Sequence, residues 1–454
     1  MQEMVAVILA AGKGTRMKSA LPKVLHTVGG KPMLRHVMTA AKQAGADRQV
    51  VVIGFGGEQV QAEIGAAVEY VLQAEQLGTG HAMMQVQPVL AGFSGTVLLL
   101  CGDTPLLTGK TLQDLVVRHK QSGAVATVLT ATPMDATGYG RILRDATGQV
   151  LGIVEQKDAT EEQKMIGEIN TGIYCFEAAS LFTALSGLTC NNAQGEYYLT
   201  DVLAILAEAG KRVGAVQVDD FQETLGINSR VQLAEAESIL RQRKLIDLME
   251  SGVTVMDPAS TFVDTTVFIG QDTVLYPFTW LEGETTIGRD CRIGPNSRIA
   301  DSQLGDAVTL HFSYAHECTV GAGVTVGPYV HLRPDTELAN GVKVGNFVEI
   351  KNSRVGKGSK VPHLSYIGDT DIGSAVNIGS GTITVNYDGK KKHRTQIGDD
   401  AFIGCNANLV APVSVGAGAY IAAGSTITKD VPAGALGVGR ARQSNIAGWA
   451  EKKK

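Results

Sequence analysis

The feature that most limits what this chain can fold into is a run of aliphatic residues at every sixth position in its second half. Val263, Ile269, Leu275, Leu281, Ile287, Ile293 and Ile299 carry it first. It lapses, resumes through Val320, Val326, Leu332, Leu338, Val344 and Ile350, and returns through Ile397, Ile403, Leu409, Val415, Ile421 and Ile427. An α-helix, at about 3.6 residues per turn, cannot hold that period on one face, and a half-buried strand alternates with period two. The repeat suits short strands separated by turns, each strand sending one aliphatic side chain into a shared core, with small residues at the corners. Glycine often follows the aliphatic residue, as in Ile269-Gly270, Ile287-Gly288 and Ile293-Gly294. Residues 384–396 break the pattern with Asn386-Tyr387-Asp388-Gly389 and then Lys390, Lys391, Lys392, His393 and Arg394, which reads as a loop thrown out of the coil.

The first half follows another pattern. Val5 to Leu9, Val50 to Ile53, Val97 to Leu100 and Val125 to Leu129 alternate with helical stretches, the order of a parallel α/β sheet. Between Gly226 and Gly252 there is no glycine or proline, and Val231, Ala234, Leu240, Leu245 and Leu248 supply apolar positions. Asn228 or Ser229 can cap the start of this segment, Gly252 can end it, and Glu237 with Arg241 makes a favourable i,i+4 pair. One long helix is expected to join two domains. The expected division is residues 1–227, a linker helix at 228–252, and residues 253–454, consistent with a 454-residue chain too long for one hydrophobic core.

Forty basic against 45 acidic residues give a net charge of −5, which removes the broad positive field of a nucleic-acid binder. No apolar stretch is long enough to span a bilayer, and the start lacks the pattern of a secretory signal. Cys101, Cys175, Cys190, Cys291, Cys318 and Cys405 are scattered without any Cys-x-x-Cys pairing, so neither a zinc site nor a disulfide framework is expected. A cytoplasmic protein without membrane or nucleic-acid partners fits these features.

The first candidate for chemistry is the turn after Val5 to Leu9, Ala10-Ala11-Gly12-Lys13-Gly14-Thr15-Arg16-Met17, followed by Leu21-Pro22-Lys23. Small residues let backbone N–H groups approach a nucleotide, and Arg16 and Lys23 can face a triphosphate. A Gly-Lys-Gly turn alone is as well explained by a structural turn. The extended string, however, resembles the signature of sugar-1-phosphate nucleotidylyltransferases. Joined to the hexad repeat, the resemblance is to the bifunctional family that makes UDP-N-acetylglucosamine, and it covers essentially the whole chain. Its further motifs stand here as Gln73-Ala74-Glu75-Gln76-Leu77-Gly78-Thr79-Gly80, Cys101-Gly102-Asp103, Gly138-Tyr139-Gly140-Arg141, Val154-Glu155-Gln156-Lys157 and Glu168-Ile169-Asn170-Thr171-Gly172.

The resemblance implies a Rossmann-like α/β nucleotidylyltransferase domain followed by a left-handed parallel β-helix, assembled as a homotrimer with sites in the clefts between neighbouring helices. The chain would acetylate glucosamine-1-phosphate with acetyl-CoA, then transfer UMP from UTP to N-acetylglucosamine-1-phosphate. Leu9, Ala10, Ala11, Gly12, Lys23, Cys101, Gly102 and Asp103 would line the nucleotide site; Gln73, Gly78 and Thr79 would read the uracil; Gly140, Glu155 and Asn170 would hold the sugar. Asp103 and Asn228 would bind Mg²⁺, for which hard oxygen ligands are suited, and Arg16 and Lys23 would act on the phosphates.

For acetyl transfer the candidate is His363 in Val361-Pro362-His363-Leu364-Ser365-Tyr366, since imidazole alone titrates where an ammonium must be deprotonated near neutral pH. A lone histidine is usually structural, the reading given to His26, His36 and His119. By resemblance His363 is the general base, Arg333 and Lys351 bind the sugar phosphate, and Tyr366 and Asn377 bind the same substrate. Asn386 and Tyr387 orient it and, with Ser380, Cys405, Ala423 and Arg440, form the acetyl-CoA site. Family members often carry serine at the place of Cys405 and alanine at the place of Ser380, both small. Nothing in the sequence marks Cys405 as an activated nucleophile, so direct attack by the amine is expected. Two alternatives stay open: a nucleotidylyltransferase whose β-helix is only regulatory, and a non-catalytic scaffold.

Overall fold

The computed structural model describes residues 3–453, and the chain divides into two compact units, one up to Leu240 and one from Arg241. The division falls inside a single helix, Arg230–Glu250. Its first half contributes Ala236 and Leu240 to a core with Val28, Met33 and Leu106, while Leu245 and Leu248 enter the core of the second unit. Glu237 and Arg241 are engaged elsewhere than with each other: Glu237 accepts from the Gly29 N–H at 2.6 Å, and Arg241 lies 4.4 Å over the Phe262 ring.

In the first unit the main path of the sheet runs Val213–Gln217, Ala126–Ala131, Ile169–Glu177, Thr96–Cys101, Met4–Ala10, Arg48–Ile53, Glu69–Leu72. The four strands expected from the sequence run in one direction, but the sheet as a whole is mixed. Ile169–Glu177 is antiparallel to both neighbours, and a hairpin of Arg141–Arg144 with Val150–Val154 attaches beside it. Strand residues alternate between two cores: Val5 and Val7 face one, Ala6 and Ile8 the other, as a sheet covered on both faces requires. Met4–Ala10 and Thr96–Cys101 are parallel with Leu9 opposite Cys101, so both strands end at the same edge, where open α/β sheets hold ligands.

The second unit is a β-helix of three parallel sheets with 11, 10 and 9 strands. Aliphatic residues stack coil on coil, for example Leu281, Ile299, Ala315, Leu332, Ile350 and Ile367, all fully buried. Burying each large aliphatic is worth roughly 1.5–3 kcal/mol, which holds together strands often only two residues long. The lapse after Ile299 is not an interruption: Leu304, Leu310 and Ala315 continue the core at shortened steps. The extruded loop is residues 386–394, since Thr384 lies in strand Ile383–Val385 and Thr395 and Gln396 in Thr395–Ile397.

Candidate active sites

The turn after Met4–Ala10 and the ends of neighbouring elements enclose a cavity of about 280 Å³ lined by Leu9, Ala10, Ala11, Gly12, Lys23, Gln73, Gly78, Thr79, Cys101 and Asp103, with Gln76 and Glu196. Gln73 is buried, and its amide donates to the Gly78 carbonyl at 3.0 Å. Gly78 has φ 109°, and a Cβ there would fall 2.6 Å from the Tyr197 carbonyl oxygen, so this turn can be made only by glycine. Thr79 begins helix Thr79–Val86 and accepts from the Leu199 N–H at 3.2 Å. Burial pushes the Cys101 thiol up to about 12, with the Asp103 charge adding to it, so Cys101 is a neutral wall residue.

Asn228, distant in sequence, reaches this edge because the Ile227 N–H donates to the Asp103 carbonyl at 2.9 Å. The Lys23 ammonium donates to the Asp103 carboxylate and, at 2.8 Å, to the Asn228 side-chain oxygen. Two hard oxygen donors thus converge on one positive charge, which is the donor set a Mg²⁺ ion shares with substrate phosphates. Gly140, Glu155 and Asn170 form a second cluster: the Asn170 N–H donates to the Gly140 carbonyl at 2.9 Å, and a Cβ at Gly140 would lie 3.4 Å from Glu155 Oε2. Asn170 Oδ1 accepts from the Gly172 N–H and the Tyr174 hydroxyl, each at 2.9 Å, and Gly172 in turn faces the Cys101 sulfur. Gly102 is buried with its N–H on the Leu9 carbonyl. Arg16 is exposed and does not line the cavity.

In the second unit the register stacks Asn346 on His363. The same register pairs Lys360 with Asn377, which brings Ser380 to the His363 position of the next coil. Backbone bonds from the Asn406 N–H to Ser380 and from the Gly424 N–H to Cys405 carry the line on through Cys405 and Ala423, and Arg440 donates to the Ala423 carbonyl at 2.9 Å. One corner of the helix is therefore a file of Asn346, His363, Ser380, Cys405 and Ala423. Here the coils touch closely: a Cβ at Gly379 would fall 2.5 Å from the Cys405 nitrogen. His363 is exposed, and its Nδ1 lies 2.6 Å from Asn346 Oδ1. With the amide oxygen facing the ring, Nδ1 carries the proton and Nε2 keeps its lone pair for a substrate.

Two further files run along the adjacent face. His316, Arg333 and Lys351 stack in one, and Tyr314, His331, Glu349 and Tyr366 in the other. Arg333 pairs with Glu349 at 2.7 Å. Asn386 is buried, not free on its loop: it donates to the Asp369 carboxylate and, at 3.4 Å, to the Tyr366 hydroxyl. Tyr387 is exposed with its hydroxyl on the Gly389 carbonyl, and Asn377 is half-buried one coil from Lys360. Lys392 lies near enough to Lys351 for its pKa to be lowered by the side-chain contact with that lysine.

The three histidines read as structural are so placed. His36 Nε2 lies 2.7 Å from the Val28 carbonyl, His119 Nδ1 lies 2.8 Å from the Thr127 hydroxyl, and burial lowers the pKa of both and of His26.

Comparison with known proteins agrees with both halves. A nucleotidyl transferase family model matches residues 5–240, and a bacterial transferase hexapeptide model, of six repeats, matches residues 317–352 and 394–429. The bifunctional protein GlmU of Heliobacterium modesticaldum is 59% identical over 97% of this chain and 96% of its own length. The GlmU proteins of Pelotomaculum thermopropionicum and a Geobacillus species are 58% and 55% identical, over 100% and 98% of this chain and 99% and 97% of their own. The chain belongs to the bifunctional GlmU family. It is accordingly a uridylyltransferase and acetyltransferase of UDP-N-acetylglucosamine synthesis. The regulatory-helix and scaffold alternatives fall with that membership.

Sequence reasoning gave no role to Asn346, Glu349 or Asp369. The only local signal at Asp369 is its place after Gly368, at a turn where it adopts φ 50°. Its carboxyl, though buried, is held below the usual carboxylate range by bonds from Asn352 and Asn386 and by the nearby Lys351 and Lys392 charges, which outweigh the opposing effect of burial.

Proposed function

We propose that the two activities occupy the two sites described, each with its own residues. In the first, UTP enters the cavity beside Gly12 with its uracil against Gln73, Gly78 and Thr79, and N-acetylglucosamine-1-phosphate lies against Gly140, Glu155 and Asn170. A phosphate oxygen of the sugar attacks the α-phosphorus of UTP as the bond to pyrophosphate breaks. The nucleophile is already an anion, so the chain contributes alignment and charge neutralisation through Lys23 and, from the turn, Arg16. Asp103 and Asn228 would hold Mg²⁺, which screens phosphate charge when bound.

In the second site His363 Nε2 takes a proton from the ammonium of glucosamine-1-phosphate, whose phosphate lies on Arg333 and Lys351 beside Tyr366, Asn377 and Asn386. The freed amine attacks the thioester carbonyl of acetyl-CoA laid along Ser380, Cys405, Ala423 and Arg440, with Tyr387 beside it; the C–S bond breaks as the C–N bond forms, and the departing CoA thiolate takes up the proton that the nitrogen loses. The observation that carries this reading is the single corner file that puts the exposed imidazole directly above the small residues Ser380, Cys405 and Ala423.

We also assign a homotrimer acting in the cytoplasm. Beside His363 runs a file of bulky residues, Phe312, Tyr329, Phe347 and Leu364, all at positive φ and all exposed, along a groove of about 1090 Å³. Bulky side chains rarely hold that conformation, and an apolar ladder of this length is a surface for another copy of the chain. The six cysteines are free, as in a reducing compartment. The test is one assay supplying glucosamine-1-phosphate, acetyl-CoA, UTP and Mg²⁺, with each omitted in turn. UDP-N-acetylglucosamine should require all four, and product without acetyl-CoA or without Mg²⁺ would refute the corresponding assignment.

A further inference from the structure

We infer that Thr200 is a positioning residue for uridylyl transfer, holding the Glu155 side chain turned toward the sugar; this rests on the reading that Glu155 contacts the sugar. The Thr200 hydroxyl is buried and donates to Glu155 Oε1 at 3.2 Å. The other carboxylate oxygen, Oε2, faces the space a Cβ would take at Gly140. One oxygen is thus tethered by protein while the other is left over the glycine beside which the sugar would lie.

The tether is built from two packed elements. Glu155 directly follows strand Val150–Val154, and Thr200 directly precedes helix Asp201–Glu208. Strand and helix meet where a Cβ at Gly152 would lie 3.1 Å from Ala204 Cβ, so the missing side chain brings them close enough for the hydroxyl to reach the carboxylate. The residue before Thr200 is fixed as well, since the Leu199 N–H donates to the Thr79 hydroxyl at 3.2 Å in the turn assigned to uracil. Leu199 and Thr200 therefore join the base-reading turn to the sugar-reading carboxylate.

The charges around Glu155 explain why a tether is needed. Burial raises its pKa, and the Asp201 and Asp158 carboxylates raise it further, while the Thr200 bond lowers it. The Tyr174 and Tyr198 phenols also face it, and both are raised above their ordinary value, chiefly by burial. No cation is among the groups that shift Glu155. An ionised carboxyl can only accept hydrogen bonds, so a donor on Oε1 favours the anion.

The sign follows directly. The carboxylate is the form that accepts from sugar hydroxyls, and it is lost as pH falls through the Glu155 pKa. Without the Thr200 hydroxyl that pKa rises, so the acid limb of the rate profile moves to higher pH.

The test compares Thr200→Val, Thr200→Ser and Glu155→Gln in the full-length protein, measuring KM and kcat for N-acetylglucosamine-1-phosphate across pH. Acetyl transfer serves as the check on folding. Thr200→Val should raise KM roughly tenfold, the scale of a hydrogen bond to a charged group, with a smaller change in kcat. It should also move the acid limb of kcat/KM upward, and Thr200→Ser should restore both. Glu155→Gln should raise KM and lose that limb. If Glu155→Gln raises KM but Thr200→Val shifts neither KM nor the limb, the inference about Thr200 is wrong and the reading of Glu155 stands. If Glu155→Gln leaves KM unchanged, the sugar reading of Glu155 fails and the inference falls with it.

Discussion

The two halves of this molecule solve the same problem, gathering residues from far apart in sequence, by opposite means. In the first unit the residues sit on loops and strand ends of a sheet whose order differs from chain order, so Lys23, Asp103 and Asn228 meet by topology. In the second unit the path is regular, and His363, Ser380, Cys405 and Ala423 meet because each occupies the same corner of a successive coil. The first arrangement makes a cavity of about 280 Å³ within one unit. The second makes a row along one corner of the coil, with His363 exposed on it.

That contrast can be broken at its strongest point by Asp103→Ala. Uridylyl transfer should fall on the order of a thousandfold or more, because an oxygen proposed to hold Mg²⁺ is removed, while acetyl transfer stays near normal. Loss of both activities in folded protein would show that the sites are not separate. The mirror experiment is His363→Ala, which should lower acetyl transfer by roughly 10²–10⁴-fold, the range for a general base, and spare uridylyl transfer. Full acetylation by that variant would remove His363 from the chemistry.

A third variant sharpens the difference between closed and open sites. Phe347→Asp places a charge on the exposed apolar ladder at a φ of 58° that aspartate tolerates. Sedimentation should then report smaller species, with acetyl transfer falling alongside and uridylyl transfer retained. Unchanged sedimentation would contradict the proposed interface. Leu332→Ala, in the fully buried file of the β-helix, should cost about 2–5 kcal/mol in denaturant unfolding. The smallest effect is expected from Arg354→Ala, whose pair with Glu337 at 3.2 Å is more than half exposed on both sides, and which should change stability by no more than about 1 kcal/mol.

The same contrast governs what could be read from sequence. The β-helix was legible because its repeat is its structure: each aliphatic residue of the hexads is a core position. Reading failed where coils shorten, at Leu304, Leu310 and Ala315, since a strict period of six steps over them although each still stacks on its neighbour. In the first unit the four apolar runs read as parallel strands do run in one direction, but the antiparallel insertion of Ile169–Glu177 was not legible, because its pattern is the same whichever way the strand points. The extruded loop also separates Ser380 from Cys405 by more residues than one coil, so no fixed spacing could reveal their stacking. Asn386 looked like a loop-tip residue from its Asn-Tyr-Asp-Gly setting, whereas a buried carboxylate, Asp369, draws it inward.

The central claim, two self-sufficient chemistries on one chain, is tested most directly by mixing the Asp103→Ala and His363→Ala proteins with glucosamine-1-phosphate, acetyl-CoA, UTP and Mg²⁺. Each alone should make essentially no UDP-N-acetylglucosamine, and the mixture should make it after a lag while N-acetylglucosamine-1-phosphate accumulates. A mixture as inactive as either variant, with both proteins folded, would contradict the account.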